Sequence, residues 1–211
     1  MSHSHYFSSQ TALLAPEKTR DLPLISHEIG EIALQFFTAR AVFSKSGFDA
    51  GSDLLLKTFF ARQSHATEPI PNIGDLGCGY GAIGAFCAAQ FPTSRVFSAD
   101  INARAAQLCA LNYAKNNLQN GFAWCGDGFS AVPDAFFGAI LFNPPVRAGN
   151  ATIAKLFGHC ERTLRENGQL WVVLRTAQGA KSWAKKLEAQ FGSCQTLQIS
   201  AGYRVLLVSK R

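Results

Sequence analysis

Apolar positions along the chain recur with two periods, near two residues and near three to four, and the two take turns. Glu28 to Phe43 alternates in part and is rich in Ile, Phe and Val, which predicts a hairpin or two short strands. Asp49-Ala-Gly-Ser-Asp53 then offers capping residues before Leu54 to Arg62, whose apolar spacing predicts a helix. From Ile73 onward the alternation is regular. Strands are predicted over Ile73 to Leu76, Arg95 to Asp100, Phe122 to Cys125, Phe136 to Phe142 and Leu170 to Leu174. Between and after them, helices are predicted over Gly81 to Gln90, Ala103 to Asn116, Ala151 to Arg165 and Lys181 to Gln190, the third stopped by Asn167-Gly168. Two last strands, Thr196 to Ser200 and Arg204 to Val208, are joined across Ala201-Gly202 and must run antiparallel.

Strand and helix in alternation imply an α/β fold, a parallel sheet covered on both faces and mixed at one edge by the final pair. No internal repeat or low-complexity linker interrupts it. The economical organisation is one continuous domain, 64–211, preceded by a short strand and helix extension, 1–63, with the boundary near Ser64 to Pro71.

Composition narrows the class. At 47% apolar and 16% charged, 211 residues can build one ordinary core, which excludes disorder and a collagen-like fibre. No apolar run approaches the roughly 20 residues of a bilayer span, and Met1 to Gln10 lacks a basic and apolar leader, so a cytoplasmic protein without a membrane partner is expected. The six cysteines are widely spaced, with no C-x-x-C pair and no His cluster, so buried reduced thiols and no metal are expected. The net charge of +6 is unevenly spread: from Arg147 onward eleven Lys and Arg face three Asp and Glu, while the earlier residues carry nine against eleven. A polyanionic partner for the second part fits that field.

Asp75-Leu-Gly77-Cys-Gly79-Tyr-Gly81 lies between a strand and a helix, where the backbone must turn tightly and admit a ligand. Gly79-Tyr-Gly81-Ala-Ile-Gly84 also satisfies G-x-G-x-x-G, so a nicotinamide dinucleotide is one reading. Asp75 weighs against it, because a carboxylate there repels a pyrophosphate and attracts a ligand carrying an amino group and a sulfonium. Asp100, ending the second strand, can accept hydrogen bonds from both hydroxyls of a ribose, and Asp127, after the third, from an adenine amino group.

These residues resemble the nucleotide-binding motifs of class I S-adenosylmethionine-dependent methyltransferases. The resemblance implies a Rossmann-like seven-stranded mixed sheet with an antiparallel final strand and S-adenosylmethionine as cofactor. It also implies that Gly77, Cys78, Gly79 and Gly81 line the methionine part. Asp100 would hold the ribose, Ile101 would pack on the adenine, and Asp127, Gly128 and Phe129 would bracket its far edge.

Asn143-Pro144-Pro145 follows a strongly apolar strand, and two prolines make a rigid loop whose carbonyls face outward. The Asn143 side-chain oxygen and the Pro144 carbonyl can hold the two protons of one amino group and aim its lone pair at a methyl donor. The triplet resembles the catalytic loop of enzymes methylating adenine N6, guanine N2 or glutamine, most of which carry an aromatic where this chain has Val146. Asn143 through Gly149 is similar to the corresponding loop of ribosomal small-subunit guanine-N2 methyltransferases, and places Val146 and Arg147 against the substrate. His5-Tyr-Phe-Ser8, Val42-Phe-Ser-Lys45, Asp49-x-Gly51-Ser52, Gly168 to Val173 and Gly202 to Val205 extend the resemblance, closest to single-domain members. It implies that Phe43, Ser44, Gly51 and Ser52 close over the cofactor, with helix capping as the competing role of Ser52. Ribosomal RNA or the small subunit would be the partner, with phosphate contacts from Arg147, Arg162, Arg165, Lys181, Lys185 and Lys186. Three other readings stay open: methylation of a protein glutamine or small-molecule amine, a non-catalytic methyltransferase-like RNA-binding module, and an oxidoreductase.

Overall fold

The computed structural model describes residues 21–39, 48–65, 68–145 and 148–210. It opens with an antiparallel hairpin, β1 (Leu24–Ile29) and β2 (Ile32–Phe37), closed by the two-residue turn Gly30-Glu31 with Gly30 at φ +60°. The hairpin thus begins four residues before the apolar run that predicted it, because polar Ser26 and His27 still pair opposite Gln35 and Leu34. Helix α1 (Ala50–Gln63) follows, capped by Asp49, whose side chain accepts from the Ser52 amide.

The main sheet is built from β3 (Asn72–Leu76), β4 (Arg95–Asp100), β5 (Gly121–Cys125), β6 (Phe137–Phe142), β7 (Leu164–Arg175), β8 (Cys194–Ser200) and β9 (Tyr203–Ser209). The helices α2 (Ala82–Gln90), α3 (Ala103–Lys115), α4 (Asn150–Thr163) and α5 (Ala180–Phe191) connect them. The strand order is β5-β4-β3-β6-β7-β9-β8, parallel except for β9, which runs antiparallel to both neighbours. The expected mixed edge is therefore present.

Central β3 and β6 are buried at every position, as strands covered on both faces require. Alternation along β6, β7 and β9 sorts their side chains into two cores. Leu141, Trp171, Val173 and Val205 face Leu55, Leu56 and Phe59 of α1 together with α2 and α3. Ile140, Phe142, Leu170, Val172 and Leu206 face Phe157 of α4 and Trp183 and Leu187 of α5. Helix α1, assigned from sequence to the extension, thus contributes to the same core as the sheet.

The hairpin is fastened to α3 by two asparagines one helical turn apart. Asn112 accepts from the Phe37 amide at 2.7 Å and donates to the Phe37 carbonyl at 3.0 Å; Asn116 does the same with Gln35 at 3.0 and 2.8 Å. Fully buried Asn112 also donates to the Tyr80 carbonyl at 2.8 Å, tying the glycine turn to the same helix.

One expected element is corrected. The helix predicted to run to Arg165 ends at Thr163, and β7 starts at once with Leu164, which is fully buried opposite Phe137. Asn167, at φ +60°, and Gly168 serve a bulge within β7, where the register jumps from Leu164 to Gln169, and do not cap a helix. Burial of Leu164 against the sheet outweighs the local stop signal.

Candidate active site

The chain turns back across the sheet between β3 and β6. From β3 it moves outward through β4 and β5, and from β6 outward through β7 on the other side, so the crevice at their carboxyl ends is the switch point where open α/β sheets bind ligands. Leu76 pairs with Phe142. The segments leaving these strands, Gly77 onward and Asn143 onward, therefore emerge as neighbours.

The glycine turn is left-handed three times, with Gly77 at φ +69°, Gly79 at +58° and Gly81 at +89°. At Gly77 an added Cβ would find only Phe142, 3.8 Å away, so the backbone there offers an open face. At Gly81 an added Cβ would sit 2.4 Å from the Cys109 sulfur, which makes that glycine a packing requirement between turn and helix.

Asp75 ends beside this turn, fully buried. Its Oδ2 accepts from the Gly84 amide at 2.9 Å and the Ser98 hydroxyl at 3.5 Å, while its Oδ1 is buried with no partner. Desolvation, reinforced by neighbouring Asp100, raises its pKa from 3.8 to about 7. Asp100, 5% exposed, accepts from the Gly79 amide at 2.9 Å on Oδ2 and from the Asn102 amide at 2.8 Å on Oδ1. Burial raises its pKa too, against the pull of those amides. Each of its oxygens keeps acceptor capacity beyond its one amide. A ligand bringing a cationic donor to Asp75 and paired hydroxyls to Asp100 satisfies both carboxyls, whereas a pyrophosphate adds negative charge to them.

The remaining expected cofactor positions divide. Ile101 is an exposed apolar side chain immediately after Asp100, and Asp127 lies partly exposed beyond β5, ion-paired with Lys155. No local pattern marked Lys155 as a partner of Asp127, because the pair spans separate elements. Phe129 is a correction: its ring is fully buried between Trp124 and Phe137 and fills the space above Gly74, so it offers no surface to a ligand. Gly128, φ +54°, is packed beneath Leu156 and His159. The Cys78 thiol is buried and donates to the Gly79 carbonyl of the same turn at 3.7 Å, and its interaction with the Cys109 thiol together with burial pushes it well above the usual thiol range.

Asn143 is half-buried, Pro144 buried and Pro145 half-buried, and the Pro145 carbonyl accepts from Ala148 at 2.8 Å, closing the loop. The Asn143 Nδ2 donates to Asp49 Oδ2 at 2.9 Å and to Ser52 Oγ at 3.0 Å. Asp49 and Ser52 were legible as capping residues, but their contact with Asn143 was not. Gly51 lets the Tyr203 ring approach: an added Cβ would sit 2.8 Å from it. Val146 and Arg147, as well as Phe43, Ser44, His5-Tyr-Phe-Ser8 and Val42-Phe-Ser-Lys45, lie outside the described residues.

Of the basic residues expected to contact phosphate, Arg165, Lys181, Lys185 and Lys186 are exposed. Arg162 is corrected: its guanidinium donates to the Val132, Phe129 and Ser130 carbonyls and pairs with Asp134 at 2.6 Å, clasping the loop after β5. Among the described residues no cluster of His, Cys, Asp or Glu is arranged to hold a metal ion, and no helix is long and apolar enough to cross a membrane.

Comparison with known proteins places this chain in a family. The chain is 33% identical over 98% of its length, and 98% of the relative's, to the Bacillus subtilis protein named "Uncharacterized protein YbxB". It is 31% identical to ribosomal RNA small subunit methyltransferase C of Pseudomonas putida, over 84% of this chain and 52% of the relative. It is 32% identical to ribosomal RNA large subunit methyltransferase G of Klebsiella pneumoniae, over 80% and 44%. The chain thus spans about half the length of these named rRNA enzymes. The structure of the T. thermophilus 16S rRNA N2 methyltransferase RsmC, in complex with AdoMet and guanosine, superposes with a TM-score of 0.80 at 26% identity, over 90% of this chain and 50% of that one. The seven-stranded sheet with antiparallel β9 is accordingly the Rossmann-like class I methyltransferase fold. The family model described as "Methyltransferase small domain" matches residues 33–207, from the hairpin through the last strand, and the chain belongs to that family.

Proposed function

We propose that this protein transfers a methyl group from S-adenosylmethionine to an exocyclic amino group of RNA, the N2 of a guanine in small-subunit ribosomal RNA. The observation that carries the reading is the orientation of Asn143. Its NH2 is committed to Asp49 and Ser52, which leaves Oδ1 as the end that accepts from an incoming amino group, beside the glycine turn and its two carboxyls.

S-adenosylmethionine supplies, when bound, an electrophilic methyl on a sulfonium. Asp75 answers the cationic amino end of that cofactor with its unpartnered Oδ1, and Asp100 accepts from the ribose hydroxyls. Gly77 would give the backbone approach that a side chain would obstruct, and Ile101 and Asp127 would hold the adenine. Asn143 Oδ1 and the Pro144 carbonyl each accept one N–H of the target amine, holding its nitrogen lone pair toward the methyl. The amine nitrogen would form its new N–C bond as the S–C bond of the donor breaks, and its surplus proton would pass to bulk water, so no strong base of this chain would be needed before attack. The resemblance of the loop assigns Val146 and Arg147 to the substrate, and exposed Lys181, Lys185 and Lys186 would add phosphate contacts. The work takes place in the cytoplasm, where ribosomal RNA is available. Similarity to the N2 enzyme in complex with guanosine supports guanine as the base.

Transfer of labelled methyl to undermethylated 16S rRNA and to small subunits, followed by digestion to nucleosides, tests the reading. Label in N2-methylguanosine is expected. Label confined to adenine, to large-subunit RNA or to a protein would overturn the substrate assignment.

A further inference from the structure

Asn143 is held by a device on a different element. The Asp49 Oδ2 accepts from the Ser52 amide at 2.8 Å, from the Ser52 hydroxyl at 3.2 Å and from Asn143 Nδ2 at 2.9 Å. Ser52 Oγ, its proton given to Asp49, accepts from Asn143 Nδ2 at 3.0 Å. Ser52 is 6% exposed, while Asp49 and Asn143 are half-buried.

The chemistry of this cluster has one solution. An ionised carboxylate only accepts, and a hydroxyl that donates to it has only lone pairs left for a third partner. An amide turned the other way could take the Ser52 proton but would set its oxygen against the Asp49 carboxylate at about 3 Å, a repulsion no rotation of Ser52 relieves. Nδ2 must face α1, and Oδ1 must face away. An unconstrained asparagine could present either end to a target, and the nitrogen end would repel the N–H groups of an amine.

We infer that Asp49, with Ser52, is a positioning residue for methyl transfer, which selects the reactive orientation of the Asn143 amide by accepting from its nitrogen. The inference rests on the proposed role of Asn143 in gripping an amine. It also explains why an N-cap of α1 sits against a loop 94 residues away: the start of that helix and the end of β6 share one carboxylate.

Asp49→Ser separates the roles, because serine caps a helix about as well as aspartate but its shorter side chain falls short of Asn143. Asp49→Asn does not, since the oxygen that accepts from the Ser52 amide is the one that accepts from Asn143. In Asp49→Ser the melting temperature, the S-adenosylmethionine dissociation constant and the KM for RNA stay near wild type, while kcat falls about 10- to 100-fold, the range for losing a charge-assisted hydrogen bond. Asp49→Thr, a second variant that keeps the cap, behaves alike. In the Asn143→Ala background, adding Asp49→Ser changes kcat no further, whereas a purely structural role would add its loss in either background. Unchanged kcat in Asp49→Ser, or additive losses in the double variant, overturns the inference while leaving the proposed function standing.

If the wild type methylates no amine, the proposed function fails first. The positioning is then read directly from the Asn143 side-chain NH2 resonances, identified by their absence in Asn143→Asp. Slow hydrogen exchange in wild type that disappears in Asp49→Ser supports the clamp, and equal exchange in both overturns it.

Discussion

Leu76 and Phe142 are register partners in adjacent parallel strands, and this one pairing joins the two halves of the site. The residue after Leu76 opens the glycine turn, and the residue after Phe142 is Asn143. Cofactor motif and reaction loop, 66 positions apart in sequence, become neighbours because the chain reverses its direction of travel between these strands.

Asn143→Ala removes the acceptor for the amine but touches none of the groups around Asp75 and Asp100. Methyl transfer should fall by at least about 100-fold, as expected for loss of one preorganised acceptor, with the S-adenosylmethionine dissociation constant within about twofold of wild type. Parallel titration calorimetry and initial-rate assays check both.

Asp75 links cofactor binding to pH. Its pKa is raised to about 7 in the fold against 3.8 unfolded, so the folded state binds the extra proton between those values and stability falls as pH rises through that window. Affinity for S-adenosylmethionine moves the other way, strengthening toward pH 8 as the carboxylate forms. Asp75→Asn removes the share of Asp75 from both dependences. It should raise the melting temperature at pH 8, where the buried charge otherwise costs up to about 4 kcal/mol, less about 1–3 kcal/mol for an unpartnered amide nitrogen. Thermal melts and titrations across pH 5.5 to 8.5 carry the test.

Two left-handed glycines differ in their tolerance of an added methyl. Gly30, φ +60°, has open space, so Gly30→Ala costs about 1–2 kcal/mol for backbone strain alone. Gly81→Ala adds to the same strain a Cβ within 2.4 Å of the Cys109 sulfur and 3.0 Å of its Cα, a further cost of about 1–3 kcal/mol. Denaturant unfolding should rank Gly81→Ala clearly below Gly30→Ala.

The exposed lysines of α5 and the clasped Arg162 should respond in opposite ways. Joint Lys181→Glu, Lys185→Glu and Lys186→Glu substitution weakens RNA binding and flattens its salt dependence, by about 0.7–0.9 in logarithmic slope for each phosphate that is no longer neutralised. Stability changes little. Arg162→Ala removes four hydrogen bonds around the loop after β5 and lowers the melting temperature with a smaller effect on the salt slope.

The order of elements was legible because nearly every strand and helix announces its period locally, and Asp75, Gly77, Asp100 and Asn143 sit at strand ends that the pattern locates. What escaped was long-range. Asn167-Gly168 is a sound local stop signal that loses to the burial of Leu164 in the sheet. Phe129 follows Asp127 by two residues, yet the gap over Gly74 draws its ring into the core. Asp49 reads correctly as a cap, but no local pattern reveals that its carboxylate also serves Asn143, and nothing in the spacing pairs Lys155 with Asp127.

Titration of the purified protein with S-adenosylmethionine and, separately, with NADH addresses the carboxyl-edge crevice most directly. The geometry of Asp75 and Asp100 predicts one-to-one binding of S-adenosylmethionine and none of NADH. Binding of NADH without binding of S-adenosylmethionine would contradict the assignment of both carboxyls and of the reaction built on them.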